Sequence, residues 1–209
     1  MARYTGPRCR QCRREGMKLF LKGAKCVGPQ CPVARRPYAP GMHGRHMSKP
    51  TAYSVQLREK QKVKRVYGTL ERQFRRYYQE ATRTKGATGR QMLQFLERRL
   101  DNVIYRLLFA VSRAEARQFV RHGFFKVNGR KVNIPSYQVG VDDKIEITGD
   151  EQKRKLVAEI VESNSKDRSV VSWLFLDKDK LKGEVLRLPD KEDLTIPVTE
   201  QLIVELYSK

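Results

Sequence analysis

The sequence predicts an α+β protein: a metal-stapled N-terminal segment, a helical stretch, then a helix–turn–helix followed by a small antiparallel sheet. Three observations carry this. Four cysteines fall within the first 31 residues. From Thr51 to about Arg121, apolar residues recur at helical spacing. From Phe124 onward, short alternating runs are separated by turn residues.

Cys9, Cys12, Cys26 and Cys31 form the pattern C-x2-C-x13-C-x4-C. A C-x2-C pair lets two thiolates converge on one ion, and a second pair beyond a loop completes a tetrahedral set. Residues 1–45 hold six glycines, five prolines and few large apolar side chains, chiefly Leu19, Phe20 and Leu21. A segment this poor in apolar surface needs a staple, and the cysteines predict one structural zinc ion. Four protein ligands leave no coordination position for a substrate. Arg8, Arg10, Arg13 and Arg14 flank the first pair, where they favour thiolate or contact a polyanion. An iron–sulfur cluster also takes four thiolates, and Cys31-Pro32 echoes a ferredoxin run. Nothing in the sequence suggests electron transfer, so zinc is the better reading. His43 and His46 make an H-x2-H pair able to replace a cysteine ligand, but the cysteine set is already complete. Two disulfides would suit a secreted chain. The opening MARYTGPRCRQ lacks the apolar core of a secretory signal, and no run approaches the roughly 18 apolar residues of a membrane span. The expectation is a soluble, intracellular protein with reduced thiols.

Charge is the strongest signal. Lys and Arg number 44 against 23 acidic residues, a net of +21. Such an excess repels itself in a compact chain and calls for a polyanionic partner. It is also uneven: residues 1–100 carry 25 basic and 5 acidic side chains, and residues 101–209 carry 19 and 18. A basic arm is therefore joined to a more balanced domain.

The middle of the chain reads as three helices. The first, Thr51 to about Tyr67, is ringed by Arg58, Lys60, Lys62, Lys64 and Arg65, with an apolar seam of Tyr53, Leu57 and Val63 to Tyr67. Gly68 ends it. Thr69 caps a second, with Leu70, Phe74, Tyr77, Tyr78 and Ala81 on one face and Arg72, Arg75, Arg76 and Arg83 on the others. Thr88 with Gln91 makes a capping box for a third, with Met92, Leu93, Leu96 and Leu100 inward. Residues 51–100 carry 13 basic and 4 acidic side chains, a bias toward one sign that predicts phosphate contact, with Arg58, Lys62, Arg65 and Arg72 as candidates.

The stretch from Glu97 to Ile147 is the most informative. A helix buries Leu100, Val103, Ile104, Leu107 and Leu108. Ser112 and Glu115 form a capping box opening the next, which turns Ala116, Phe119 and Val120 inward. Arg113, Arg117 and Arg121 repeat at i, i+4 and i+8, a basic stripe on another face. Gly123 stops the helix. Phe124–Val127 and Arg130–Val132 flank Asn128-Gly129, a strong hairpin signal, and Lys144–Ile147 alternates as a further strand. The arrangement can grip nucleic acid, with DNA and RNA both open.

RLDNVIYRL, SRAEARQFVRHG and VNGRKVNIPSY resemble the S-four (S4) RNA-binding domain, a module also found in pseudouridine synthases, a tyrosyl-tRNA synthetase and a heat-shock protein. RPYAPGMHG, LREKQKVKRVYG, ERQF and LRLPDKEDLTIPVTEQLIVELYS resemble the bacterial small-subunit ribosomal protein family S4, and the cysteine pattern its zinc-bearing form. The resemblance covers essentially the whole chain. It implies a primary binder of small-subunit rRNA that nucleates subunit assembly at a helical junction. It also implies contact with ribosomal protein S-five and a place lining the mRNA entry path, where the family bears on translational accuracy. By the same resemblance Arg113, Arg117, Gln118, Arg121 and His122 belong to the RNA face. Met42 departs from the pattern, standing where PGQHG has a glutamine. The implied organisation is a cysteine-bearing basic segment 1–49, a helical rRNA-binding domain 50–97 joined by a returning tail 189–209, and the RNA-binding module inserted at 98–188.

In the C-terminal third, Glu151–Val161 reads as a helix with Leu156, Ile160 and Val161 inward. Trp173–Leu176, Gly183–Leu188 and Leu202–Tyr207 read as strands or other buried segments. Asp177, Asp179, Asp190, Glu192 and Asp193 alternate with Lys178, Lys180 and Lys191, which reads as solvated loop rather than paired catalytic carboxylates. The chain is therefore not expected to be an enzyme. Its rivals are an RNA-modifying or tRNA-related protein reusing the module, which would need a catalytic domain, and a zinc-dependent transcription factor.

Overall fold

Helices dominate the first hundred residues of the computed structural model, which describes residues 3–45, 49–194 and 196–208. His46, of the H-x2-H pair, lies outside the described residues. The chain divides into two units, Met1–Leu93 with Thr195–Lys209, and Gln94–Leu194.

In the first unit, α1 (Arg8–Glu15) ends on Gly16, whose φ of 68° provides the left-handed cap. A short 3-10 turn, Gly23–Cys26, and the four-residue α2 (Pro32–Arg35) follow. Leu19 is fully buried, whereas Phe20 is exposed. α3 (Ala52–Val66) is capped by the Thr51 hydroxyl, which accepts from the Ser54 amide at 3.2 Å. Val63, Val66 and Tyr67 are buried as predicted, but Tyr53 is exposed, and Gln56 takes an inward place instead. α4 (Glu71–Arg83) buries Phe74, Tyr77 and Ala81. Its N-cap is Leu70, not Thr69, which lies buried with its hydroxyl on the Lys64 carbonyl. α5 (Thr88–Glu97) starts at Thr88 itself, and the Gln91 amide bonds to the Ala87 carbonyl, so Thr88 is not an outside cap.

The second unit opens with Gln94 and continues through α6 (Leu100–Arg106), α7 (Arg113–Arg121) and α8 (Glu151–Asp167). The Ser112 hydroxyl caps α7 from the Glu115 amide at 3.3 Å, and the Glu115 carboxylate reaches back to the Val111 amide at 2.6 Å. The reciprocal bond thus closes one residue before the cap. β1 (Phe125–Val127) and β2 (Arg130–Lys131) join through Asn128 and Gly129, with φ of 49° and 77°, the positive pair that a tight hairpin requires. The Asn128 side chain bonds the Asp143 carboxylate at 2.7 Å and the Lys144 amide at 2.9 Å, fixing the turn onto β3 (Lys144–Ile147). β4 (Leu174–Asp177) and β5 (Lys182–Val185) complete a five-stranded antiparallel sheet in the order β2-β1-β3-β5-β4.

Inward residues of that sheet, Phe125, Val127, Ile145, Ile147, Leu174 and Val185, pack with Ile104, Leu107, Val120 and Trp173 in one core. Outward positions carry charge, in the cross-strand row Lys131, Lys126, Glu146, Lys182 and Asp177. α8 seats Val157, Val161 and Asn164 at i, i+4 and i+7. Leu156 is exposed because it stands about 100° round the helix from Val157.

Residues 202–207 are not a strand. They belong to α9 (Glu200–Tyr207), which returns to the first unit and packs on α3. Gln56 donates to Glu205 at 2.9 Å, and the Thr199 amide donates to Glu59 at 2.8 Å. Glu71 collects Lys60, Lys64 and the Tyr207 hydroxyl at 2.8, 2.8 and 2.7 Å, and the Tyr207 ring stacks on Tyr78 at 4.7 Å. Burial pushes the Glu71 carboxyl up, but the three hydrogen bonds outweigh it and hold the pKa down to about 2. Burial and the facing carboxylate push the Tyr207 hydroxyl well above its ordinary range.

Candidate nucleic-acid interface and cysteine cavity

The residues expected to touch nucleic acid separate into an exposed set and an inward set. On α4 the apolar face directs Arg72, Arg75, Arg76 and Arg83 outward, and all four are exposed. On α7, Gln118 and Arg121 are exposed, as is His122 at its C-cap. These side chains present donors and positive charge to solvent, as phosphate contact requires.

The other candidates face partners inside the protein. Arg58 and Arg65 both pair with Glu15, whose side chain is only 2 % exposed, with Arg58 at 3.4 Å. Arg65 also reaches the Gln11 carbonyl at 3.5 Å. Burial pushes the Glu15 carboxyl up despite these guanidiniums, and pushes Arg58 down. The two arginines thus anchor the end of α1 to α3. Lys62 pairs with Glu59 at 2.8 Å and donates to the Pro197 carbonyl at 2.8 Å.

In the second unit, Asp101 accepts from Arg99 at 3.0 and 2.6 Å and from Arg117 at 2.9 Å. Glu97 accepts from Arg106 at 3.1 and 2.7 Å and from the Asn102 amide at 2.7 Å. Arg113 donates to the Asn102 side-chain oxygen at 2.7 Å and lies over the Tyr105 ring at 4.5 Å, with Arg168 also over that ring at 4.6 Å. Glu97, Arg99, Asp101, Asn102, Arg106 and Arg117 are all buried. Helical spacing found Arg113 and Arg117 but not Arg99, Arg106 or Arg168. The carboxylates that turn them inward were missed, although Glu97 and Asp101 each adjoin a leucine of the core, Leu96 and Leu100.

Cys9, Cys12, Cys26 and Cys31 are free thiols lining one cavity of about 420 Å³, with Leu21, Lys22 and Arg8 among its other walls. Cys12, Cys26 and Cys31 are buried. The Lys22 amide donates to the Cys26 sulfur at 3.3 Å. Burial pushes the Cys12 and Cys26 thiols up, and neighbouring thiols in the cavity add to the rise. Among the described residues, no three His, Cys, Asp or Glu side chains are drawn into a metal-holding group. The four cysteines share the lining of this one cavity.

Arg13 donates to the Tyr38 and Ala39 carbonyls at 3.0 and 3.3 Å, and Arg13 and Arg45 each lie 5.0 Å from the Tyr38 ring centre. This fixes the start of the RPYAPGMHG stretch, in which Met42 stands almost fully exposed. Among the described residues, no helix is long and apolar enough to cross a membrane. Asp177 and Asp193 serve local turns: Asp177 accepts the Asp179 and Lys180 amides at 3.1 Å, and Asp193 pairs with Arg187 at 2.8 Å.

Comparison with known proteins gives matches across the chain. Residues 3–97 match the model of the ribosomal protein S4/S9 N-terminal domain, and residues 98–145 match the S4 domain. A protein of Symbiobacterium thermophilum named small ribosomal subunit protein uS4A is 55 % identical over 209 residues, covering the whole of both chains. Small ribosomal subunit protein uS4 of Dictyoglomus turgidum is 56 % identical over 209 residues, again covering all of both. The uS4 protein of Pelobacter propionicus is 56 % identical over 211 residues.

Proposed function

The chain belongs to the bacterial uS4 family of small-subunit ribosomal proteins, and from that premise we propose that it is a structural rRNA-binding protein of the small subunit, acting in the cytoplasm without catalysis. The observation that carries the reading is the excess of exposed positive charge on α4, where Arg72, Arg75, Arg76 and Arg83 point away from a face of Phe74, Tyr77 and Ala81 and Glu80 is the one exposed acid. Guanidiniums held outward on a rigid helix neutralise phosphates and release counterions, and RNA shape at a junction supplies the specificity. Exposed Gln118 and Arg121 on α7, with His122 at its C-cap, form the RNA face of the S4 domain in this reading. As an early binder of this kind, the chain nucleates small-subunit assembly, adjoins ribosomal protein S-five and lines the mRNA entry path, where it bears on accuracy.

The test is binding to folded small-subunit rRNA across a salt series. Several phosphate contacts, each worth a slope of about −0.7 to −0.9 in log K against log salt, give a steep fall in affinity. A nearly flat response refutes the proposal.

The cysteine cavity belongs to the zinc-bearing form of the family in this reading. Four thiols on one cavity match a structural zinc ion by donor chemistry, and the fully buried Leu19 is a small core for the segment they would staple. Cys9, Cys12, Cys26 and Cys31 would hold the ion, whose contribution is cross-linking rather than reaction.

A further inference from the structure

A basic stripe at positions 113, 117 and 121 suggests three equivalent phosphate contacts one helical turn apart. The structure makes them unequal. Arg121 is exposed, Arg113 is half-buried against Asn102 and Tyr105, and Arg117 is buried with its guanidinium on Asp101. Asp101 lies in the first turn of α6, where a carboxylate also suits the helix dipole. Its Oδ2 is shared by Arg99 at 2.6 Å and Arg117 at 2.9 Å, and its backbone amide bonds to the Pro135 carbonyl at 3.1 Å. The Leu100 amide next to it bonds to the Tyr137 carbonyl at 2.9 Å. Asp101 therefore ties together the start of α6, the middle of α7 and the loop around residues 135–137.

We infer that Arg117 is a positioning residue for RNA binding: its buried ion pair with Asp101 seats α7 on α6 so that exposed Gln118, Arg121 and His122 meet the phosphate backbone together. A guanidinium aimed at solvent would lose a charge-assisted hydrogen bond in a dry setting to gain one that water already offers. The inner arginine thus sets the angle and register of the outer contacts. The inference rests on the RNA-binding reading above and adds a division of labour within it.

Its test is a double-mutant cycle on the full chain, with affinity for folded small-subunit rRNA measured at fixed salt and per folded molecule. Trp173 fluorescence and far-UV circular dichroism report the folded fraction. The variants are Asp101→Asn, Arg117→Met, the double variant and Arg117→Lys. Removing an acid alone strengthens attraction to a polyanion. Positioning predicts the opposite sign: Asp101→Asn and Arg117→Met each weaken binding by about fivefold or more, the range of a real coupling. The double variant is no weaker than the weaker single, and Arg117→Lys recovers most of the loss by keeping one charge on Asp101. Unchanged or tighter binding by Asp101→Asn with weaker binding by Arg117→Met makes Arg117 a direct phosphate ligand and overturns the inference. Wild-type affinity per folded molecule in both singles reduces the pair to a stability role and overturns it equally. If Asp101→Asn does not fold, the salt slope of Arg117→Met decides, because Asp101 keeps Arg99 there. A wild-type slope supports positioning, and one shallower by about 0.7–0.9 overturns it. The wild-type arm keeps the two levels apart: absent or salt-independent binding there defeats the RNA-binding reading itself.

Discussion

Replacing Glu97 with alanine removes the carboxylate at the centre of the buried network at the start of the second unit. Glu97 is 1 % exposed and accepts both Nε and Nη2 of Arg106, which is itself buried, and the side-chain amide of Asn102. The variant leaves a guanidinium in a dry site with its counter-charge gone, a change that costs about 3–5 kcal/mol where measured in other proteins. For a unit of about 100 residues each kcal/mol moves the melting temperature by about 4–8 °C, so the drop is about 12 °C or more. Trp173 is the only tryptophan and is fully buried in this same core, so its fluorescence melt reads this unit specifically. Glu97→Gln, which keeps an acceptor and the shape but not the charge, loses less than the alanine variant. A loss below about 1 kcal/mol for Glu97→Ala, the value of an exposed ion pair, would refute the claim that burial makes this network decisive.

Glu71 gives the acid response of the first unit. Its folded pKa of about 2 lies below the ordinary 4.5, so the stabilisation is complete above about 4.5 and is lost as pH falls through about 2. Glu71→Gln should flatten the acid limb of a circular-dichroism stability profile in that window, and an unaltered limb would remove Glu71 as its source. Gly183 on β5 faces Leu107, and a Cβ there would stand 2.4 Å from the Leu107 Cδ1. Gly183→Ala should therefore destabilise the sheet core by about 1–3 kcal/mol in the Trp173 melt, and a neutral result would show that Leu107 yields freely. For the cysteine cavity, elemental analysis should find one zinc per chain with no visible absorption band. Chelation or Cys12→Ser should then open residues 1–45 to proteolysis. Bound iron with visible absorption, or a metal-free chain equally resistant to protease, would contradict the zinc reading.

Much of the architecture is legible in the sequence because it depends on local chemistry. Asn128-Gly129 specifies its own turn, Ser112 and Glu115 their own helix start, and Lys144–Ile147 its own alternation. The returning segment at 202–207 is different. A short run such as Leu202-Ile203-Val204 suits strand or helix equally, and packing on α3 decides the outcome. Site residues divide the same way. The outward arginines of α4 follow from helical phase alone. The inward ones do not, because their partners sit on other elements: Glu15 lies 43 residues from Arg58, and Asp101 lies 16 from Arg117. Spacing shows which arginines share a face but not whether an acid waits beneath it.

The most direct measurement is a competition at equal salt between folded small-subunit rRNA and duplex DNA for the full chain. Clear preference for the rRNA is expected, with affinity falling steeply as salt rises and falling further when Arg72, Arg75 and Arg76 are changed to alanine. Preference for duplex DNA, or triple-variant binding indistinguishable from wild type, would contradict it.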